Sequence, residues 1–67
     1  MDIRLNGAPH RIGGARLADL LASYAIDSDK PGVAVAINEA IVPRAEWPSA
    51  LLKDGDAVEI VRPHSGG

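Results

Sequence analysis

The chain ends in "RPHSGG", which puts an α-carboxylate on Gly67 at the tip of a short tail. A carboxylate resists nucleophiles, because it is anionic and its oxygen is a poor leaving group. Chemistry at this position would therefore need activation first. Two readings are open: a frayed end, or a carboxylate that is the working part. Taken alone, most terminal Gly-Gly pairs are loose termini. Few other residues compete for a chemical role. There is no cysteine, hence no disulfide, no Cys-based zinc site and no iron–sulfur cluster. The two histidines, His10 and His64, lie far apart and give no metal-ligand spacing. Gly13-Gly14 lacks the spacing of a phosphate cradle and reads as a strand-to-helix loop. Asp54-Gly55-Asp56 lacks the remaining ligands of a calcium loop and reads as a turn. Arg44 is a solvated charge or the partner of a carboxylate, without a catalytic role. Arg62 and His64 border the terminus. They either steer the tail toward phosphate or acidic groups, or are simply solvated. Nothing in the tail holds His64 in place as a base, and a domain this small has little room for a nucleophile–base set.

The elements that must carry this tail are few. A chain of 67 residues makes one domain with a thin core. Its stability should be on the order of several kcal/mol at best. Nearly half of the residues, 46%, are hydrophobic, which is the composition of a globular chain. The net charge of −2, with both signs interspersed, lacks the basic face and stacking aromatics of a nucleic-acid module. "MDIRLNG" is no signal peptide. No apolar run approaches the ~20 residues that span a bilayer. The expectation is a soluble, cytoplasmic domain, monomeric when free, that engages neither nucleic acid nor membrane.

"MDIRL" alternates, with Ile3 and Leu5 on one side and Asp2 and Arg4 on the other, as a half-buried strand does. Asn6-Gly7 is a hairpin signal. The return strand, Ala8 to Ile12, contains Pro9 and so belongs at an edge. Leu17, Leu20, Leu21 and Tyr24 form one stripe of a helix over Ala15 to Tyr24. "DSDKPG" is a loop. "VAVAI", Val33 to Ile37, reads as a strand covered on at least part of both faces. Asn38-Glu39 allows a turn, and Ile41-Val42 a very short strand. "RAEWPSALL" reads as a turn or one helical turn, with Trp47, Leu51 and Leu52 covering one end of the core. "AVEIV" is the last strand. The order is β-β-α-β-(β)-β. A helix after a hairpin must lie across the sheet to bury its leucines. The first and last strands then become neighbours. The predicted class is α+β, a β-grasp (ubiquitin-like) fold with a mixed sheet of four to five strands. The domain spans residues 1–61 and the tail residues 62–67.

Within that pattern the residues Asn38, Ile41-Val42-Pro43-Arg44, Trp47, Leu52, Asp54-Gly55-Asp56, Val58-Glu59-Ile60 and Gly66-Gly67 resemble the ThiS family, the sulfur carriers of thiamin thiazole synthesis. The match runs essentially the full length. "IVPR-xx-W" followed by terminal Gly-Gly is its specific part, whereas the turn and strand around Asp54 are common to many β-grasp proteins. The residues "RPHS" before the glycines depart from the pattern, which has a smaller or more apolar tail.

The resemblance implies a protein cosubstrate and not an enzyme. An E1-like adenylating enzyme (ThiF-like) would use ATP and Mg to adenylate the Gly67 carboxylate, with no cofactor bound by the carrier itself. A cysteine desulfurase or other persulfide donor would supply sulfur, which displaces AMP and leaves a thiocarboxylate. That group is more acidic than a thiol and is an anionic sulfur nucleophile at neutral pH. Thiazole synthase (ThiG-like) would receive the sulfur. Gly66 and Gly67 suit this, because a tail without Cβ atoms threads a narrow channel. The entropy lost on ordering it must be offset by docking contacts, expected on the helix-free face of the sheet. Other readings share the tail: the small subunit of molybdopterin synthase, carriers for cysteine or tRNA thiolation, and a ubiquitin-like modifier passed on to a lysine. A β-grasp RNA-binding accessory domain has little support from the charge.

Overall fold

The computed structural model describes residues 1–26 and 31–62. Five strands and two helical segments follow in the order β1 (Asp2–Leu5), β2 (Ala8–Arg11), α1 (Leu17–Ser23), β3 (Ala34–Ile37), β4 (Ala40–Ile41), a 3₁₀ helix (Arg44–Ser49) and β5 (Ala57–Val61). They form one sheet in the order β2-β1-β5-β3-β4. β1 and β5 run parallel, and the other pairs are antiparallel. This is the β-grasp arrangement. β2, which carries Pro9, lies at one edge as its missing donor requires.

Period-2 alternation divides the sheet. Ile3, Val35 and Val58 are buried on one face, against Leu17, Leu20 and Leu21 of α1. Trp47, Leu52, Ile26 and Val33 complete the core. Leu17, Val35 and Val58 are the largest side chains that are fully enclosed. Trp47 keeps its indole N–H satisfied by donating to the Val42 carbonyl at 3.0 Å. A buried ring of this size contributes apolar area only if that donor is paired. The Arg44 guanidinium stacks on the same ring, 4.7 Å from its centroid. The core thus has a planar lid instead of a cross-link.

Several expectations need correction. The helix is shorter than Ala15 to Tyr24, because Ala15 lies in a bend, Arg16 is extended, and their backbone serves a different pairing. The Leu52 N–H donates to the Ala15 carbonyl at 2.6 Å, and the Leu17 N–H to the Ala50 carbonyl at 3.1 Å. Arg16 forms an isolated antiparallel bridge with Leu51. That bridge turns Leu51 outward, so it is 67% exposed and does not cover the core as Trp47 and Leu52 do. "RAEWPS" makes a 3₁₀ helix longer than one turn, with Pro48 inside it. β3 keeps the expected cover on part of both faces, with Val35 buried on one and, on the other, Ala36 half-buried beside an exposed Ala34. The short fourth strand begins at Ala40 and ends at Ile41, one position before the expected Ile41-Val42.

The turns are tight. Asn6 and Gly7 have φ of 50° and 85°, and Asn38 and Glu39 have φ of 51° and 69°. Two-residue hairpin loops of the type I′ class need positive φ at both positions, which matches strand twist. α1 ends in a Schellman motif. The Ile26 N–H donates to the Leu21 carbonyl at 3.0 Å and the Ala25 N–H to Ala22 at 2.9 Å. Ala25 sits at the left-handed position, φ 58°, where glycine is usual.

Ala25 and Glu39 are therefore strained by their own Cβ atoms. Replacing either by glycine should raise stability by about 0.5–1 kcal/mol, since relieved strain exceeds the entropy that glycine adds to the unfolded chain. Ala22→Gly, at the exposed second-to-last position of α1, should instead cost up to about 1 kcal/mol. Urea unfolding of the three variants checks this. The same sign for all three would refute the assignment.

Candidate functional site

The approach to the terminus starts in the centre of the sheet. β5 lies between β1 and β3 and ends at Val61. Its two ends are each held by an asparagine side chain, reaching from a hairpin turn.

At the start of β5, the Asn38 N–H donates to the Ala57 carbonyl at 2.7 Å, and the Ala57 N–H donates to Asn38 Oδ1 at 2.9 Å. Asn38 Nδ2 donates to Asp56 Oδ1 at 2.9 Å, and the Lys53 N–H to Asp56 Oδ2 at 2.8 Å. Asp56 is the buried charged residue among those described. Burial pushes its carboxyl pKa up, but the Lys53 amide, the Asn38 carboxamide and the Lys53 charge together hold it below the ordinary value. Asp54-Gly55-Asp56 is a turn, with Gly55 at φ 90°, and Asp54 Oδ1 accepts from the Asp2 N–H at 2.7 Å.

At the end of β5, Asn6 is the partner. Its N–H donates to the Val58 carbonyl at 2.9 Å. The Ile60 N–H donates to Asn6 Oδ1 at 2.8 Å, and Asn6 Nδ2 donates to the Ile60 carbonyl at 3.3 Å. Arg62 follows, its guanidinium carbon 6.0 Å from the centroid of the Tyr24 ring. The His10 ring lies 6.1 Å from that of Tyr24. A small cavity of ≈ 40 Å³ lies at this point, lined by Leu5, Asn6, Tyr24, Ile26, Ile60 and Arg62.

Of the residues singled out in the sequence, Arg62 is placed here, whereas His64, Gly66 and Gly67 lie outside the described residues. Gly13 and Gly14 line a groove of ≈ 500 Å³ between β2 and α1 that also holds His10, Arg16 and Tyr24. Arg44 donates to the Val33 carbonyl at 3.5 Å besides stacking on Trp47. Among the described residues, no group of three or more His, Asp or Glu converges to hold a metal ion, and no helix is long and apolar enough to cross a membrane. Sequence reasoning read Asn6 and Asn38 as turn formers only. Their partners lie 54 and 18–19 residues away, so no local pattern announces the second role.

The model of the ThiS family matches residues 3–67, from the first strand to the terminal glycine. The chain belongs to the ThiS family. Similar ThiS proteins include the sulfur carrier protein ThiS of Thermus thermophilus, 38% identical over 63 residues that cover 94% of this chain and 95% of the relative. The sulfur carrier protein ThiS of Escherichia coli is 38% identical over 42 residues, covering 63% of this chain and 64% of its own. The crystal structure of the thiamine biosynthesis protein ThiS from Geobacter metallireducens superposes with a TM-score of 0.77 at 30% identity, over the whole of both chains. Its solution structure gives 0.79 at 30% identity, covering all of this chain and 88% of that one.

A carboxylate with a depressed folded-state pKa stabilises the fold above its unfolded-state value and loses that contribution as pH falls through the folded-state value. Asp56→Asn should therefore cost about 1–3 kcal/mol at neutral pH. The gap to the parent should close as pH falls below ~4, where the unfolded carboxyl protonates first and the folded one at lower pH. Urea titrations from pH 7 to pH 2 measure the gap, and a gap independent of pH would remove Asp56 from this role.

Proposed function

We infer that this protein is a sulfur carrier of thiamin biosynthesis, charged at the carboxylate of Gly67 and spent at thiazole synthase. The observation that carries the reading is the position of β5. The strand that leads to the terminal glycines is the central one, paired on both sides, so the tail starts from the most constrained part of the sheet. The relatives that resemble this chain over nearly its whole length are named sulfur carriers.

The chemistry needs little from the carrier itself. A carboxylate oxygen of Gly67 attacks the α-phosphate of ATP, and pyrophosphate leaves. Hydrosulfide then attacks the acyl carbon, AMP leaves, and the product is a thiocarboxylate; where a persulfide attacks instead, AMP leaves an acyl disulfide, and two thiols reduce its S–S bond to release the thiocarboxylate. An E1-like adenylating enzyme of the ThiF kind supplies the ATP and Mg site, and a persulfide donor supplies sulfur. The carrier's part is to present an unhindered Gly66-Gly67 and a surface to grip. It is a cosubstrate, not an enzyme. A chain without cysteine suits a reducing cytoplasm.

The surface suited to gripping is the helix-free face of the sheet. Cross-strand register puts Ala34 beside Val61, and Ala36 between Ile41 and Glu59. Ile41 and Val61 are 70% and 60% exposed. This apolar strip leads toward the tail. Such a strip can take a partner without disturbing the core, because Ile41 and Val61 lie on the face opposite α1 and stay exposed.

Intact mass of the chain after incubation with the adenylating enzyme, ATP, Mg and sulfide tests the chemistry. One oxygen replaced by sulfur at Gly67 is the expected result. Deletion of Gly67 should abolish the gain while leaving the melting curve unchanged. A truncated chain that is still charged would defeat the reading. Ile41→Asp should raise KM for the carrier about tenfold without lowering its stability. An unchanged KM would move the docking surface elsewhere.

A further inference from the structure

We propose that Asn6 is a positioning residue for the charging reaction, acting through the backbone of Ile60 to fix where the tail leaves the domain. The inference rests on the reading of Gly67 as the charged group, but concerns a different residue.

The argument starts from the ladder. β1 and β5 are parallel, with Arg4 opposite Ala57 and Leu5 opposite Val58. The Arg4 N–H donates to the Asp56 carbonyl and the Asn6 N–H to the Val58 carbonyl, each at 2.9 Å. In a regular parallel ladder the Ile60 N–H would next donate to the main-chain carbonyl of Asn6. That is impossible here, because the backbone turns away at Asn6-Gly7, with both residues at positive φ. The Asn6 carboxamide takes the place of the missing peptide group. Its Oδ1 accepts from the Ile60 N–H and its Nδ2 donates to the Ile60 carbonyl. The side chain therefore extends β1 along β5 after its main chain has left.

This matters at Ile60 more than elsewhere. On its other side β5 is paired with β3 as far as Val61, which faces Ala34. Without Asn6, the last two residues of β5 would be held from the β3 side alone, next to the ≈ 40 Å³ cavity beneath Arg62. A strand held on one edge frays more readily than one held on both. Asparagine is suited to both tasks. It tolerates the left-handed backbone of the turn and carries a donor and an acceptor on a short stem. Asparagine at the opposite turn, Asn38, makes the corresponding bond to Ala57, so the strand is pinned at both ends.

Three chains separate the roles. Asn6→Gly keeps the turn and removes the clamp. Asn6→Asp keeps the acceptor for the Ile60 N–H but sets an anionic oxygen against the Ile60 carbonyl. Deletion of Gly67 reports on the charging site itself. The first measurement is amide hydrogen exchange at Ile60, expected to accelerate about fivefold or more in Asn6→Gly. The second is steady-state adenylation with the E1-like enzyme, ATP and Mg, with the carrier as varied substrate and pyrophosphate as readout. All rates are taken well below the melting temperature. For Asn6→Gly, kcat should fall about threefold to tenfold while KM stays within about twofold, with Asn6→Asp in between. Unchanged kcat in both variants overturns the proposal. A raised KM with unchanged kcat also overturns it, by making Asn6 a docking contact. If Asn6→Gly does not fold, Asn6→Asp decides by the same criteria. A Gly67-deleted chain that still releases pyrophosphate defeats the reading of the carboxylate. A parent chain that is charged only at Gly67 leaves that reading standing whatever Asn6 does.

Discussion

β5 can serve as a central strand only if both of its edges are satisfied, and β1 is too short to satisfy one of them with its own main chain. The asparagine turns at either end make up the difference. Asn38 extends the pairing at Ala57 and Asn6 at Ile60. Unpaired backbone groups inside a sheet cost about as much as a lost hydrogen bond each. The placement of β5 depends on these side chains as well as on the hydrophobic face. The buried Val58 can then meet Leu17 and Val35 in the core. In turn, the exposed Glu59 and Val61 face away from the helix.

A core this small leaves little spare. It has no cysteine to form a disulfide, and among the described residues no cluster of His, Asp or Glu that could hold a metal ion. What it has is a short helix whose leucines all point inward, a 3₁₀ segment that brings in Trp47, and a bridge between Arg16 and Leu51 that ties the start of the helix to the segment after Trp47. Asp56 adds the one buried charge among the described residues, and its carboxylate accepts hydrogen bonds from the Lys53 amide and the Asn38 carboxamide. Replacing such a group by an apolar one would not restore the turn, because its bonds hold Lys53 and Asn38 in place.

Much of this fold is legible in the sequence, because the alternation of Ile3 and Leu5, the leucine stripe of α1 and the Asn-Gly signal all act locally. The edge position of β2 followed from Pro9 alone. What the sequence hid is non-local. Ala15 and Arg16 look helical in their window, but the bridge to Leu51 claims their backbone. Leu51 looks like a core residue beside Leu52, and that same bridge turns it out. Asn6 and Asn38 satisfy turn chemistry so well that their second bonds leave no trace in composition. The central place of β5, beside β1, followed from the order of the elements.

The parallel pairing of β1 with β5 joins the beginning of the domain to its end, and the Asn6–Ile60 contact closes a separation of 54 residues. Loops of that length are entropically costly to close before their contacts form. The strand that leads to the terminal glycines therefore has no neighbour on its β1 side until nearly the whole chain has been made and collapsed. A chain broken or misfolded anywhere between these strands loses the platform from which the tail departs. Readiness for charging is in this sense a report on the integrity of the entire domain, written into the order of its strands.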